Sequence, residues 1–183
     1  IYYKVENEQY EIREATLAEV NDWYEELRPT EPQIPVRDLS VSQIMPLDDI
    51  SFEMSTSFGA KCSNVATMRS FGFPEGTIPN GFGIPFYYYD EFMQFNNFYQ
   101  EAQVMIDNPT FQTDINFRID RLKTFRRSIK DAPMPQWMLD DLQSMHDDFP
   151  EGTAVRCRSS TNNEDLPGFS GAGLYTSKTQ YID

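Results

Sequence analysis

The chain has 183 residues, 15 Lys plus Arg against 29 Asp plus Glu, and a formal net charge of -14. That length supports a sizeable core, and 39% hydrophobic with 24% charged residues is the make-up of a folded domain rather than a disordered one. A surface this acidic repels nucleic acid and anionic lipid, so neither nucleic acid nor membrane is expected as a partner.

Residues Ile1 to Tyr10 carry Lys4, Glu6 and Glu8 and no apolar run of signal-peptide length. No stretch of about 18 apolar residues occurs anywhere, so no membrane-spanning helix is expected. The chain starts at Ile1 rather than Met, which reads as a trimmed piece of a longer protein. Two cysteines, Cys62 and Cys157, form no disulfide framework.

The first clear element is a helix near Thr16 to Leu27. Thr16 and Glu19 stand at capping-box spacing, and Leu17, Val20, Trp23, Tyr24 and Leu27 fall on one face. Arg28 to Pro35 holds three prolines and reads as a linker. Ala60 to Arg69 suits a short helix, and Phe82 to Pro85 a short strand. Tyr87 to Ile106 reads as one helix with an aromatic stripe of Phe92, Phe95, Phe98 and Tyr99. Phe111 to Lys130 reads as a second, with Phe117, Leu122, Phe125 and Ile129 inward. Pro135 to Met145 reads as a third, its proline in the first turn. Thr153 to Arg158 alternates as a strand, Ser159 to Gly173 is a polar loop, and Leu174 to Ile182 is a returning strand. The fold class expected is α/β (α+β), with helices in the middle and a late β-hairpin.

Several chemically suggestive groups have ordinary explanations. The aromatic stripe belongs to a core. His146 sits beside carboxylates near a helix end, as surface histidines do. Asp140, Asp141, Asp147 and Asp148 show no ligand spacing and read as a solvated face. Arg118, Arg121, Lys123, Arg126, Arg127 and Lys130 spread around their helix and offset the acidic remainder.

Two segments resist that treatment. In Ser57-Phe58-Gly59-Ala60-Lys61-Cys62, Gly59 permits a tight turn and Lys61 falls in the first turn of a helix. Unpaired N–H groups and the positive dipole end favour an anion there, and a lysine adds a mobile point charge. In the run from Val155 to Tyr175, strand alternation puts Arg156 and Arg158 on one face with Cys157 opposite. Arg158 stands at the strand end, where a guanidinium can hold phosphate oxygens by two prongs. Ser159, Ser160 and Thr161 follow, and Gly168, Gly171 and Gly173 allow a backbone to approach a ligand closely.

These residues carry a resemblance. Arg158-Ser-Ser, Glu164-Asp165-Leu166-Pro167 and Ser170-x-Ala172-Gly173 resemble the signature of the dikinase ATP-binding domain, as in pyruvate phosphate dikinase, phosphoenolpyruvate synthase, rifampicin phosphotransferase and the α-glucan water dikinases. The ending Ser170-Gly171-Ala172-Gly173-Leu174-Tyr175 resembles the glucan dikinase variant. Gly59-Ala60-Lys61-x-x-Asn64 resembles the family's Gly-Gly-Lys-x-x-Asn, and Ile78-Pro79-Asn80-Gly81-Phe82 its proline-glycine stretch. The resemblance covers roughly residues 55 to 180. Residues 1–45 are expected to be a lead-in, and 46–183 a partial ATP-binding domain truncated at its C-terminus.

The resemblance implies an ATP-grasp type fold of which this chain is the first subdomain. It places Lys61 and Arg158 on ATP phosphates, and Gly173, Thr176 and Ser177 near the nucleotide through backbone or hydroxyl. Ser159, Ser160, Glu164 and Asp165 would order the loop. Magnesium would be held by a second subdomain beyond Asp183. Phosphohistidine and acceptor domains of the same chain would be the partners, and the β-phosphoryl of ATP would pass to a carrier histidine with release of AMP. A non-catalytic nucleotide-sensing or interaction module on the same scaffold is the alternative. Two departures stand out. Ala60 replaces a glycine, and Leu174-Tyr175 replaces two glutamines of the family run.

Overall fold

The computed structural model describes residues 1–27, 34–163, 165–166, 169–171, 173 and 175–182. The chain divides into two compact units, Ile1–Pro35 with Asn163–Ala172, and Val36–Asn162 with Gly173–Asp183. It is a mixed α/β structure, with helices and small two-stranded antiparallel sheets. The expected linker falls largely on residues 28–33, which lie outside the described residues.

The smaller unit opens with a hairpin the sequence reading missed. Strands β1 (Tyr2–Glu6) and β2 (Gln9–Arg13) pair around Asn7 and Glu8, both at positive φ (49° and 63°). Two consecutive left-handed residues make the turn whose twist matches paired strands. Its signal was present in the alternation of Tyr3 and Val5 with Tyr10 and Ile12, which pair across the hairpin. Helix α1 (Leu17–Leu27) begins at the expected capping box: the Thr16 N–H donates to Glu19 Oε2 (2.9 Å) and the Glu19 N–H to Thr16 Oγ1 (3.3 Å). Arg13 ties hairpin to helix, donating to Glu19 at 2.6 and 2.9 Å while stacking on Tyr2. The Glu19 carboxyl is held down to about 2, first by Arg13 and then by the Thr16 N–H. The apolar stripe of α1 lies open, with Leu17, Trp23, Tyr24 and Leu27 all exposed.

The larger unit is built on a small core of Leu47, Ile50, Phe58 and Ala66, with Val41, Met45, Met54, Cys62 and Val65 against it. Strand β3 (Met45–Pro46) leads into two 3-10 turns. Helix α2 (Ser55–Phe58) and helix α3 (Ala60–Arg69) follow, separated only by Gly59. Strand β4 (Phe82–Gly83) returns to pair with β3, placing Gly83 opposite Met45. Arg69, at the end of α3, grips both Asp48 oxygens, the carbonyls of Ile78 and Pro79, and Asn80 Oδ1. The long loop between α3 and β4 thereby gains a fixed anchor.

The aromatic helix expected over Tyr87 to Ile106 is in fact two, α4 (Phe86–Phe95) and α5 (Phe98–Ile106). The break falls at Asn97, in the left-handed region (φ 57°), a conformation asparagine tolerates better than most residues. Asn96 steadies it by donating to the carbonyls of Phe92 and Pro133. The next expected helix is likewise divided, into α6 (Pro109–Thr113) and α7 (Ile115–Asp131). Asn108 caps the first and Asp114 the second, each accepting two backbone N–H groups. Arg118 closes the joint by donating to the carbonyls of Phe111 and Gln112. Helix α8 (Gln136–Asp147) packs Trp137 on Tyr87 and Tyr88, and Asp141 accepts from the buried Tyr88 hydroxyl at 2.6 Å. Strand β5 (Ala154–Cys157) ends the helical run. Two-residue strands β6 (Asp165–Leu166) and β7 (Phe169–Ser170) pair within the smaller unit, and β8 (Lys178–Tyr181) pairs with β5.

Two outcomes test this packing. A Cβ at Gly83 would stand 2.5 to 2.8 Å from Ile50 Cδ1, Cys62 Sγ and Phe58 Cδ1. Gly83→Ala is therefore expected to cost about 1–3 kcal/mol, read as a lower urea midpoint. The Asp48 carboxyl lies below its ordinary value because Arg69 hydrogen-bonds it. A lowered folded pKa gives stability that is complete above about pH 4 and lost as pH falls through the folded value. Asp48→Asn should melt below the parent at pH 7, and the difference should close by about pH 2. A difference that stays constant with pH would count against the ion pair.

Candidate functional site

The site is assembled where three short stretches meet within the larger unit. The turn Ser57 to Cys62 is shaped from below by Phe58, which is 1% exposed and part of the core. Gly59 then reverses the chain at φ +82°. A Cβ there would lie 2.5 to 2.7 Å from the side chain and backbone of Ser160. Only glycine fits this approach, on both conformational and steric grounds. Ser160 Oγ accepts from the Cys62 N–H (2.9 Å), and the Thr161 carbonyl from the Ala60 N–H (3.2 Å). The serine-threonine segment thus caps α3 from 98 positions away.

This corrects one expectation. The sequence alone predicts an open set of donors for an anion in the first turn of α3. The Ala60 and Cys62 N–H groups are instead spent on Thr161 and Ser160, because the loop seats itself where a cap would sit. The charge remains: Lys61 is the second residue of α3, and its side chain is exposed.

Arg158 follows β5 directly and is also exposed. Its neighbour Arg156 is committed to the sheet, donating to Thr179 Oγ1 across the ladder at 2.9 Å. The β5–β8 ladder ends at Cys157 opposite Lys178. Arg158 and Ser177 therefore leave it at the same end, with Thr176 one residue further. Gly173 turns at φ +82°, and among the described residues nothing lies within 4 Å of a Cβ placed there. Ser159 and Ser160 are half-buried, Thr176 is exposed and Ser177 half-buried. Glu164, Pro167, Gly168, Ala172 and Leu174 lie outside the described residues. Asp165 pairs by its backbone with Ser170 in the smaller unit.

Cys62 faces the core, where burial pushes its thiol up to about 11. His146 Nδ1 lies 3.3 Å from both Asp147 Oδ1 and Gln143 Nε2 at the end of α8. Among the described residues no group of three His, Cys, Asp or Glu side chains could hold a metal ion, and no helix is long and apolar enough to cross a membrane.

Lys61 and Arg158 are exposed on two segments that the Ser160 cap joins, a combination that makes this the candidate site. The model of the pyruvate phosphate dikinase AMP/ATP-binding domain matches residues 55–180, which contain both segments in order. The chain belongs to this dikinase ATP-binding family. No curated protein and no solved structure matches it. The match begins at Ser55, so it leaves out residues that bear on this candidate site. Asp38 accepts from the Ser57 hydroxyl (3.0 Å), its N–H donates to the Thr56 carbonyl (2.9 Å), and Asn162 donates to the Val36 carbonyl. Sequence reasoning missed Val36 to Asp38 and gave Asn162 no role. No local pattern announces bonds that span 19 and 126 positions.

The cap is testable. Ser160→Ala is expected to cost about 1 kcal/mol, as lost helix caps do. Gly59→Ala should cost more and should not add to it in the double variant, since both break one contact. Urea denaturation of the four proteins checks this, and full additivity would contradict the arrangement.

Proposed function

We propose that this domain holds ATP by its phosphates, with Lys61 and Arg158 as the two cations of the site. The observation that carries this reading is the seating of Ser160 on the first turn of α3, which joins the two segments. Gly173, Thr176 and Ser177 leave the same end of the ladder as Arg158 and would approach the nucleotide with backbone and hydroxyl groups. Family membership supports nucleotide binding, and an ATP-grasp arrangement, with a second subdomain closing over the nucleotide, is the architecture proposed for the whole protein.

Phosphoryl transfer depends chiefly on positioning and on neutralising charge. Lys61 supplies a mobile point charge and Arg158 a planar fork. Neither serves as nucleophile. In the proposed reaction the β-phosphoryl moves from ATP to a carrier histidine, and AMP departs. The sequence holds a single histidine, His146, committed to the end of α8, so the carrier is assigned to another domain. Among the described residues no group of three His, Cys, Asp or Glu side chains could hold a metal ion, and no magnesium-dependent step is assigned to them.

Lys61→Ala and Arg158→Ala should each weaken ATP use by about 1.5–3 kcal/mol, roughly 10- to 150-fold. The test supplies the full-length protein with ATP labelled at the β or the γ position. AMP release with β-label on the protein is the expected result. Unimpaired ATP consumption by the double variant would refute the assignment. ATP left intact in the presence of acceptors would favour a nucleotide-sensing module.

A further inference from the structure

The stretch Val36 to Asp38 lies outside the family match, yet it is bonded to both halves of the candidate site. Three consecutive residues make three separate attachments. The Val36 carbonyl accepts from Asn162 Nδ2, on the loop that follows Arg158. The Arg37 guanidinium reaches Asp90 Oδ1 at 3.1 Å and donates to the Tyr99 hydroxyl at 3.1 Å. Asp38 accepts from the hydroxyl of Ser57, itself 1% exposed, in the turn that leads to Lys61.

These bonds close a ring. The strap of residues 36–38 holds the turn through Asp38 and Ser57, and through the Asp38 N–H and the Thr56 carbonyl. The turn holds the loop through Cys62 and Ser160, and Ala60 and Thr161. The loop holds the strap through Asn162 and Val36. Lys61 belongs to one side of the ring, and Arg158 runs directly into another.

The strap is fixed in turn by the helices. Asp90 is only 6% exposed and also accepts from Tyr99 (2.7 Å) and Gln94 (2.6 Å). A buried carboxylate with three partners resists displacement, because leaving one partner unmade strands a charge away from water. Arg37 is thus a fixed post from which Val36 and Asp38 reach the two cation-bearing segments.

We propose that Val36–Asp38 forms the third side of the phosphate-binding frame, and that Asp38 and Asn162 are positioning residues that set the separation of Lys61 and Arg158. The inference rests on the ATP reading given above. It adds residues that no local motif marks.

The test compares Asn162→Ala, Asp38→Ala and Asp38→Asn with Lys61→Ala and Arg158→Ala in the full-length protein. MgATP affinity, the KM-against-kcat split and melting temperature are measured for each. Asn162→Ala and Asp38→Ala are each expected to weaken MgATP by about tenfold, since small misplacements of binding groups are costly. Asp38→Asn should recover most of that loss, because an amide can still meet the Ser57 hydroxyl and the Ser40 N–H, which donates to Asp38 Oδ1 at 2.9 Å. Lys61→Ala should also lose less in the Asn162→Ala background than in the parent. Should Asp38→Ala fail to fold, Asn162→Ala and its cycle with Lys61→Ala decide the matter. A lowered melting temperature with unchanged MgATP affinity would overturn the proposal while leaving the ATP reading intact, provided Lys61→Ala and Arg158→Ala still weaken binding. If those two are silent as well, both readings fall.

Discussion

Everything at the site depends on one close approach, Gly59 against Ser160. The backbone must turn at φ +82°, and a side chain there would collide with the Ser160 carbonyl. Glycine removes both obstacles at once. On one side of it Phe58 is sunk in the core with Leu47, Ile50 and Ala66. On the other, α3 begins and carries Lys61 outward. The turn thus converts hydrophobic burial into the placement of a charge. Moving Lys61 would require moving Phe58, and the surrounding packing opposes that.

The charge economy of the larger unit sharpens this picture. Several of its arginines make structural contacts. Arg37 holds Asp90 and Tyr99, Arg69 holds Asp48 and the 78–80 loop, and Arg156 holds Thr179. Lys61 and Arg158 are both exposed, on the two segments that the Ser160 cap joins. In a chain of net charge -14, long-range electrostatics oppose the arrival of any polyphosphate. Binding must therefore come from contacts made within a few ångströms, where local cations outweigh the screened background. That places unusual weight on the frame that aims those cations.

Much of this fold was legible in the sequence, and the exceptions have physical causes. The helix at 17–27 follows from its capping box and periodicity and β5 from strand alternation, which are local. The aromatic stripe put Phe98 correctly in the core but Phe95 lies exposed, and its continuity fails because periodicity runs straight through Asn97 while the backbone does not. Asp114 restarts a helix for a similar reason: its side chain offers the backbone a cap where the pattern suggests continuation. Lys61 and Arg158 could be named from their motifs. The cap by Ser160, and the strap that meets Asn162, could not, because each joins residues far apart in sequence.

That separation bears on how the site comes into being. The Cys62–Ser160 bond spans 98 positions and the Asn162–Val36 bond 126. Closing loops of that length costs conformational entropy before any contact repays it. One hydrogen bond, worth about 1 kcal/mol net, does not cover such a cost alone. The packing of the helices between them supplies the rest, and it holds Asp90 and Tyr99 where Arg37 meets them. The candidate site is therefore a product of the whole larger unit rather than of either motif. A peptide holding the glycine-lysine turn, or one holding the arginine-serine loop, contains the charge without the geometry.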